Sequence, residues 1–477
     1  MSRSFRRSLI VFITLCLVGF TVFNILGDSL HDVAIKPVSP WWVIPFVLLL
    51  LSIAVAPFIN RHWWESNYPF VAFGLGAIVI VYYLLILKNP SRMALTFYEY
   101  ISFISLIGSL FVVAGGIHLR MKGRETPWEN VRLLAVAALA SNILGTTGAS
   151  MLVIRPYLRL NRFRIRPYHV VFFIFIVSNM GGALTPIGDP PLFLGYLKGI
   201  PFFWILQRAW LPWLLGLGLV LLIFYLVDLY HFRKLRPRDR VSAEELDESE
   251  ISGLHNVFFL AMILGAVFIE KPFMLREVIM ASAAFASYFT TRHEVHRKND
   301  FNFIPIKEVA ILFAGIFATM VPALDWLELN ASLLGLATPG HFYWGTGILS
   351  SFLDNAPTYL TFLSAAFGLH GASLDNPTHV YLMLGYTTHA VGTLPNPLKP
   401  GAFPITADTW NYVLAISVAA VFFGACTYIG NGPNFMVKSI AEQAKVQCPS
   451  FFGFIVKYSI PVLIPVFVLV WYLFFRG

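Results

Sequence analysis

The sequence predicts an all-α polytopic membrane protein made of two inverted repeats, each with a re-entrant helical hairpin and a broken transmembrane helix, preceded by one extra N-terminal helix. Three observations carry this prediction. The 477-residue chain is 57% hydrophobic and only 12% charged, outside the soluble globular range. Its apolar runs are interrupted by two sets of oxygen-rich breaks containing Gly and Pro, and the two sets match each other. Its Lys and Arg residues are distributed unevenly between alternate loops.

Leu9–Leu26 follows Arg3, Arg6 and Arg7 as in a signal peptide, yet it has no clear small-residue cleavage site and is long enough to cross. It reads as an uncleaved first helix, which with an outer loop fills 1–40. Apolar runs at about 41–59, 68–87 and 101–118 each reach the roughly 17–25 residues that a crossing needs. The run 133–154 is interrupted by Ser141-Asn142 and by Gly145-Thr146-Thr147-Gly148. Two half-length helices around a polar tip, entering and leaving on one side, satisfy the backbone better than one span containing that break. Residues 168–200 can cross but carry Gly181-Gly182, Pro186, Pro190 and Pro191, so a broken helix is expected there. A span near 211–230 completes a first repeat over 41–230.

The hydrophilic tract 231–252 is read as a cytoplasmic linker. The plan then recurs over 253–477, with spans near 254–270, 273–290 and 307–324, an interrupted pair at 342–369, a broken crossing at 410–444 and a final span at 452–475. Thr185-Pro186-Ile187-Gly188-Asp189-Pro190-Pro191 aligns with Thr427-Tyr428-Ile429-Gly430-Asn431-Gly432-Pro433, and Asp189 faces Asn431. An insertion at about 370–409, rich in Pro, His and Thr, is the main departure from the repeat.

With the N-terminus cytoplasmic and both interrupted pairs re-entrant, the expected inner loops hold 24 Lys and Arg against 9 in the outer segments. Such an excess sets orientation in a cytoplasmic (inner) membrane. The tracts 119–132 and 155–166 flank the first pair and are both basic, as its return to its own side requires. The first repeat then starts outside and the second inside, which makes them inverted. The net charge of +9 is therefore a topology signal, and nucleic-acid binding is not expected. Cys16, Cys426 and Cys448 are isolated, and no Gly-x-x-x-x-Gly-Lys-Ser/Thr loop is present, so neither a thiolate metal site nor ATP-driven pumping is suggested. No nucleophile or metal cluster converges for an enzyme, and no cofactor is expected beyond Na⁺ and/or H⁺ as coupling ions.

Non-helical backbone survives in hydrocarbon only where it lines a polar cavity, so the breaks are the candidate site. Half-helix N-termini supply N–H groups, and unwound carbonyls with Ser, Thr and Asn side chains supply the oxygens that hard cations prefer. The candidate residues of the first half are Ser141, Asn142, Thr146, Thr147, Ser178, Asn179, Thr185, Gly188 and Asp189. Those of the second are Asp354, Asn355, Thr358, Thr427, Gly430 and Asn431. One Na⁺ is expected at Ser141, Asn142, Thr185 and Asp189, and its mirror image at Asp354, Asn355, Thr427 and Asn431. A carboxylate at membrane depth is costly unless neutralised, so a proton can compete with Na⁺ at Asp189 or Asp354. The plainer alternative is that each aspartate caps the half-helix that follows it. His370, His379 and His389 in the insertion are weaker candidates for a gate or pH sensor.

Ser141-Asn142, the string Ser178-Asn179-x-Gly181-Gly182-x-x-Thr185-Pro186-Ile187-Gly188-Asp189-Pro190-Pro191, and Asp354-Asn355-x-Pro357-Thr358 resemble the ion transporter superfamily. That superfamily takes in citrate transporters, divalent anion/sodium symporters, arsenite exporters and D-type sodium/proton antiporters. The string ending in Asp189 looks closest to the citrate-transporter-like and D-type antiporter branches. The resemblance implies a homodimer whose scaffold parts hold it together, and a transport part carrying both hairpins that slides between the two faces. Departures from the symporter branch, which has Ser-Asn-Thr at both tips, are the missing Thr after Asn142 and Asp354 in place of Ser. The added negative charge repels a carboxylate substrate unless a cation neutralises it. The expected function is thus cation-coupled secondary transport, with sodium:proton antiport by elevator-like alternating access first. Transport of citrate or a related carboxylate coupled to Na⁺ or H⁺ is the alternative, and an ion channel a second one.

Overall fold

Among the described residues the apolar runs of the sequence become helices with identifiable starts. The computed structural model describes residues 35–120, 126–234, 250–269, 271–386 and 402–476. The expected helix at Leu9–Leu26, most of the 231–252 linker and residues 387–401 with His389 lie outside the described residues. A 3₁₀ turn at Pro40–Val43 leads into α1 (Ile44–Ile59), which ends at Asn60. Asn60 is extended and its side chain accepts from Trp63 N, so it caps α2, Arg61–Val81 prolonged by a π segment Tyr82–Ile86. α3 (Pro90–Gly115) starts at Pro90 behind the Asn89 cap. The sequence placed these starts later, near 68 and 101. The polar residues Arg92, Thr96, Glu99 and Ser102 in the first turns of α3 depress the local hydropathy, yet all four are buried.

α4 (Pro127–Leu160) has 34 residues but is not one rod. Gly145 has φ 72° and ψ 156° inside it, the left-handed region that glycine enters without a Cβ penalty. Asn130 and Asn161 exchange two side-chain hydrogen bonds of 2.8 Å, whereas a straight helix would set them about 46 Å apart. The chain therefore doubles back, with arms at 127–144 and 146–160. α5 (Pro167–Ile176), a 3₁₀ turn at Met180–Gly182 and α6 (Pro190–Leu197) follow as one interrupted element, and then comes α7 (Phe202–Arg233).

β1 (His118–Arg120) and β2 (Glu250–Ser252) form a two-stranded antiparallel ribbon in register His118 to Ser252. Next are α8 (Asn256–Val267), α9 (Leu275–Thr290), the short α10 (His293–Lys298) and α11 (Ile304–Asn330). α12 (Pro339–Phe352) and α13 (Asn355–Leu369) fold against each other, with the Phe342 and Phe362 rings 6.3 Å apart. α14 (Pro377–Met383) lies in the insertion. α15 (Trp410–Phe423), a 3₁₀ turn at Gly424–Cys426 and α16 (Gly432–Gln443) form the second interrupted element, and the last helix, α17, spans Phe451–Phe474.

Seven of the described helices are long and apolar enough to cross a membrane. Large apolar side chains face outward all over the surface, among them Trp41, Phe70, Phe258 and Phe452, as bilayer contact requires. The chain is thus an all-α, multi-pass membrane protein. Its interior is built on the two interrupted elements: Tyr168 to Ile176 of α5 and Val413 to Phe423 of α15 are buried without exception. α1, α2, α3, α8, α9 and α11 pack as one group and α7 and α17 pack with the hairpins and interrupted elements as another, and the two groups meet closely where α11 lies along α13 and α3 along α4.

Candidate functional site

The breaks meet at one carboxylate. Asp189 stands where a helix cap would, before Pro190, but its side chain makes no capping bond. Its Oδ1 instead accepts from Thr146 Oγ1 at 2.6 Å and from Asn431 Nδ2 at 2.9 Å, and its Oδ2 accepts from Asn355 Nδ2 at 2.6 Å. Thr146 opens the second arm of α4, Asn355 opens α13, and Asn431 precedes α16. Asp189 is 1% exposed, and among the described residues no Lys or Arg pairs with it. Its charge is therefore oriented by three neutral dipoles and neutralised by none, an arrangement that favours the arrival of a cation.

The tip of the first hairpin is tied to the first interrupted element through backbone groups. Asn142 donates to Gly181 O at 2.7 Å and accepts from Leu184 N at 2.9 Å, and its own carbonyl accepts from Thr185 Oγ1 at 2.6 Å. Ser141 donates to Val177 O, Ser150 and Ser178 share a hydroxyl contact, and Thr146 N donates to Gly188 O. A cavity of about 30 Å³ opens here, lined in part by Gly145, Thr146, Thr147, Gly188 and Asp189. It has room for one small ion or water. Asn179 links the halves: its Oδ1 accepts from Asn431 and its Nδ2 donates to Asn434 Oδ1.

The second tip behaves differently. Asp354 accepts from Ala356 N at 3.0 Å and so caps α13, while Thr358 donates to Asp354 O. Thr427 donates to Ser351 O and accepts from Gly430 N. Asn355, committed through Nδ2 to Asp189, leaves its Oδ1 buried without a donor. The expected grouping of Asp354 with Asn355, Thr427 and Asn431 is thus only partial: Asn355 and Asn431 turn to Asp189, and the Asp354 carboxylate stays with its own helix.

Matching hydrogen bonds identify the equivalent positions. Thr185 donates to Asn142 O as Thr427 donates to Ser351 O, and Ser141 reaches Val177 O as Ser350 reaches Ala420 O. A Cβ at Gly188 would overlap Gly182 O, and one at Gly430 would overlap Gly424 O. The counterpart of Asn142 is therefore Ser351, and that of Thr146 is Asn355. Sequence reading had set Asn142 against Asn355, one helical turn out, because the shared Asn masked the position of the bend. It also missed Asn434, which donates to Gly424 O and Thr427 O; its signal was a lone amide three residues past Asn431 on a helix start. His379 accepts from Ser373 N at 2.9 Å, and burial lowers its pKa from the ordinary value, which suits a structural neutral imidazole.

A helical, multi-pass membrane fold with facing polar breaks is consistent with secondary transport. The family model described as "Putative citrate transport" matches residues 35–475 of the chain. The chain belongs to this citrate-transporter-like (CitMHS) family. No curated protein matches it.

Proposed function

We propose that the chain exchanges Na⁺ for H⁺ by elevator-like alternating access, with Asp189 as the group that takes either cation. The carrying observation is the buried Asp189 carboxylate held by Thr146, Asn355 and Asn431, one from each of the other three polar segments. A Na⁺ or a proton there removes the uncompensated charge, and either is worth most when both hairpins are closed on it. Ser141, Asn142 and Thr185 position the first tip, and the spare Oδ1 of Asn355 is a further oxygen for the cation. Of the mirror position at Asp354, Asn355, Thr427 and Asn431, Asn355 and Asn431 already hold Asp189, so this reading merges the two positions into one. Thr147 and Gly188 line its cavity, Asn179 and Ser178 hold Asn431 and Ser150 behind it, Gly430 bonds Thr427, and Thr358 bonds the Asp354 carbonyl at the second tip.

In this reading the two hairpins are re-entrant, the repeats 41–230 and 253–477 are inverted about the linker 231–252, and the N-terminus is cytoplasmic in an inner membrane. The group α1, α2, α3, α8, α9 and α11 is the scaffold of a homodimer, and the remaining helices slide against it.

The family description supports a second reading, transport of citrate or a related carboxylate coupled to Na⁺ or H⁺. The test is reconstitution into vesicles holding a pH dye, with Na⁺, Li⁺, K⁺ and citrate added in turn. Saturable proton movement with Na⁺ alone supports exchange. Movement only when citrate is present replaces exchange with carboxylate transport, and an ohmic, non-saturating current replaces both with a channel.

A further inference from the structure

A second polar network lies away from the breaks, and every one of its charged members is buried. Arg92 near the start of α3 bonds Asp325 of α11 at 2.7 Å and Asp375, just before α14, at 2.7 Å. Lys198, at the end of α6, bonds Asp375 and Glu99 of α3, both at 2.6 Å. Tyr83 of α2 donates to the other oxygen of Asp325. None of these side chains is more than 8% exposed.

Their distribution over the two packing groups is informative. Arg92, Glu99 and Asp325 stand on α3 and α11; Lys198 and Asp375 follow the first interrupted element and the second hairpin. Two bridges, Arg92–Asp375 and Lys198–Glu99, cross the boundary. Two others, Arg92–Asp325 and Lys198–Asp375, lie within one group each. If the groups part, each cation keeps a carboxylate on its own side, and the severe cost of orphaning a buried charge is avoided for both.

We propose that Arg92–Asp375 and Lys198–Glu99 form a releasable latch that holds the hairpin-bearing group in the position seen here. This rests on the sliding of two groups put forward above. The latch resists sliding because two buried bridges must open, and it permits sliding because Asp325 and Asp375 remain as partners.

The experiment uses the full chain in sealed vesicles, with Cys16, Cys426 and Cys448 replaced and Phe352→Cys as a reporter at the second hairpin tip. A membrane-impermeant maleimide is added to one face or the other. Glu99→Gln removes one crossing bridge and leaves Lys198 with Asp375, so the ratio of labelling between faces should shift about tenfold. Tyr83→Phe, internal to one group, should leave the ratio unchanged. Asp375→Asn serves if Glu99→Gln does not fold. An unshifted ratio in both single variants, or labelling confined to one face in all of them, overturns the latch. Labelling needs no transported ion, so absence of flux in the parent counts against the exchange reading alone.

Discussion

The two halves of the polar centre share a backbone and differ in where they carry charge. In the first half the hairpin bends at a glycine, Gly145, and Asp189 closes the break within the interrupted element. In the second the bend carries Asp354 and Asn431 closes the break within the interrupted element. Asp189 and Asn431 have nearly the same backbone, φ −143° and ψ 145° against φ −154° and ψ 142°, yet one supplies the carboxylate and the other an amide that donates to it. Matching hydrogen bonds and cap geometry in the two halves thus surround a single carboxylate held from both sides. The difference teaches that similar bends need not carry similar charge, and in the proposed reading one cation position shared by both hairpins fits better than two mirror positions.

The strongest challenge to this contrast is to move the charge. Asp189→Asn should abolish Na⁺-driven proton movement in vesicles, because the three donors would then face a neutral amide. Adding Asn431→Asp should recover part of the signal, since Asn431 occupies the matching backbone position. Full exchange in Asp189→Asn alone would remove the shared carboxylate from the mechanism.

A smaller effect comes from trimming one donor in each half. Thr146→Val and Asn355→Ala each delete a hydrogen bond to a charged group, about 1.5–3 kcal/mol, or roughly ten- to a hundredfold in affinity. Half-saturating Na⁺ for exchange should rise by a similar factor in both. A large rise in only one would mean that the hairpins do not share the site.

Much of this plan was legible because the breaks defy the solvent around them. Oxygen-rich, Gly- and Pro-containing strings in lipid-length apolar runs have few structural explanations, and setting Thr185–Pro191 against Thr427–Pro433 puts Asp189 opposite Asn431, two residues of similar backbone that share a hydrogen bond. Bend positions were harder to read, because the bend depends on φ at Gly145 and on the cap at Asp354, neither of which hydropathy registers. The charged cluster at Arg92, Glu99 and Asp325 was invisible for a related reason: polar residues near a helix end look like a shorter helix when their partners, Lys198 and Asp375, are distant in sequence.

The bends themselves separate the halves next. Gly145→Ala forces a Cβ into a positive-φ, extended-ψ conformation that essentially only glycine adopts, and close to Ile187 O, at a cost of about 1–3 kcal/mol. Its thermal midpoint in detergent should fall clearly below that of the parent. Asp354→Ala, which loses only a cap, should cost about 1 kcal/mol. Equal losses would mean that the two bends are held in the same way.

The smallest effect sharpens the comparison most, because it concerns the second carboxylate at the centre. Asp354 is half-buried, and the hydrogen bond of its side chain is to Ala356 N of its own helix. Asn caps a helix about as well as Asp, so Asp354→Asn should keep the bend, the fold and the position of Asn355. With Asp189 intact and still held by its three donors, Na⁺-dependent proton movement should persist within about twofold of the parent, since capping strengths of Asn and Asp differ little. If exchange is lost while the thermal midpoint is unchanged, the Asp354 charge takes part in coupling directly. The carboxylates of the two halves would then act as a pair, in place of a single one at Asp189.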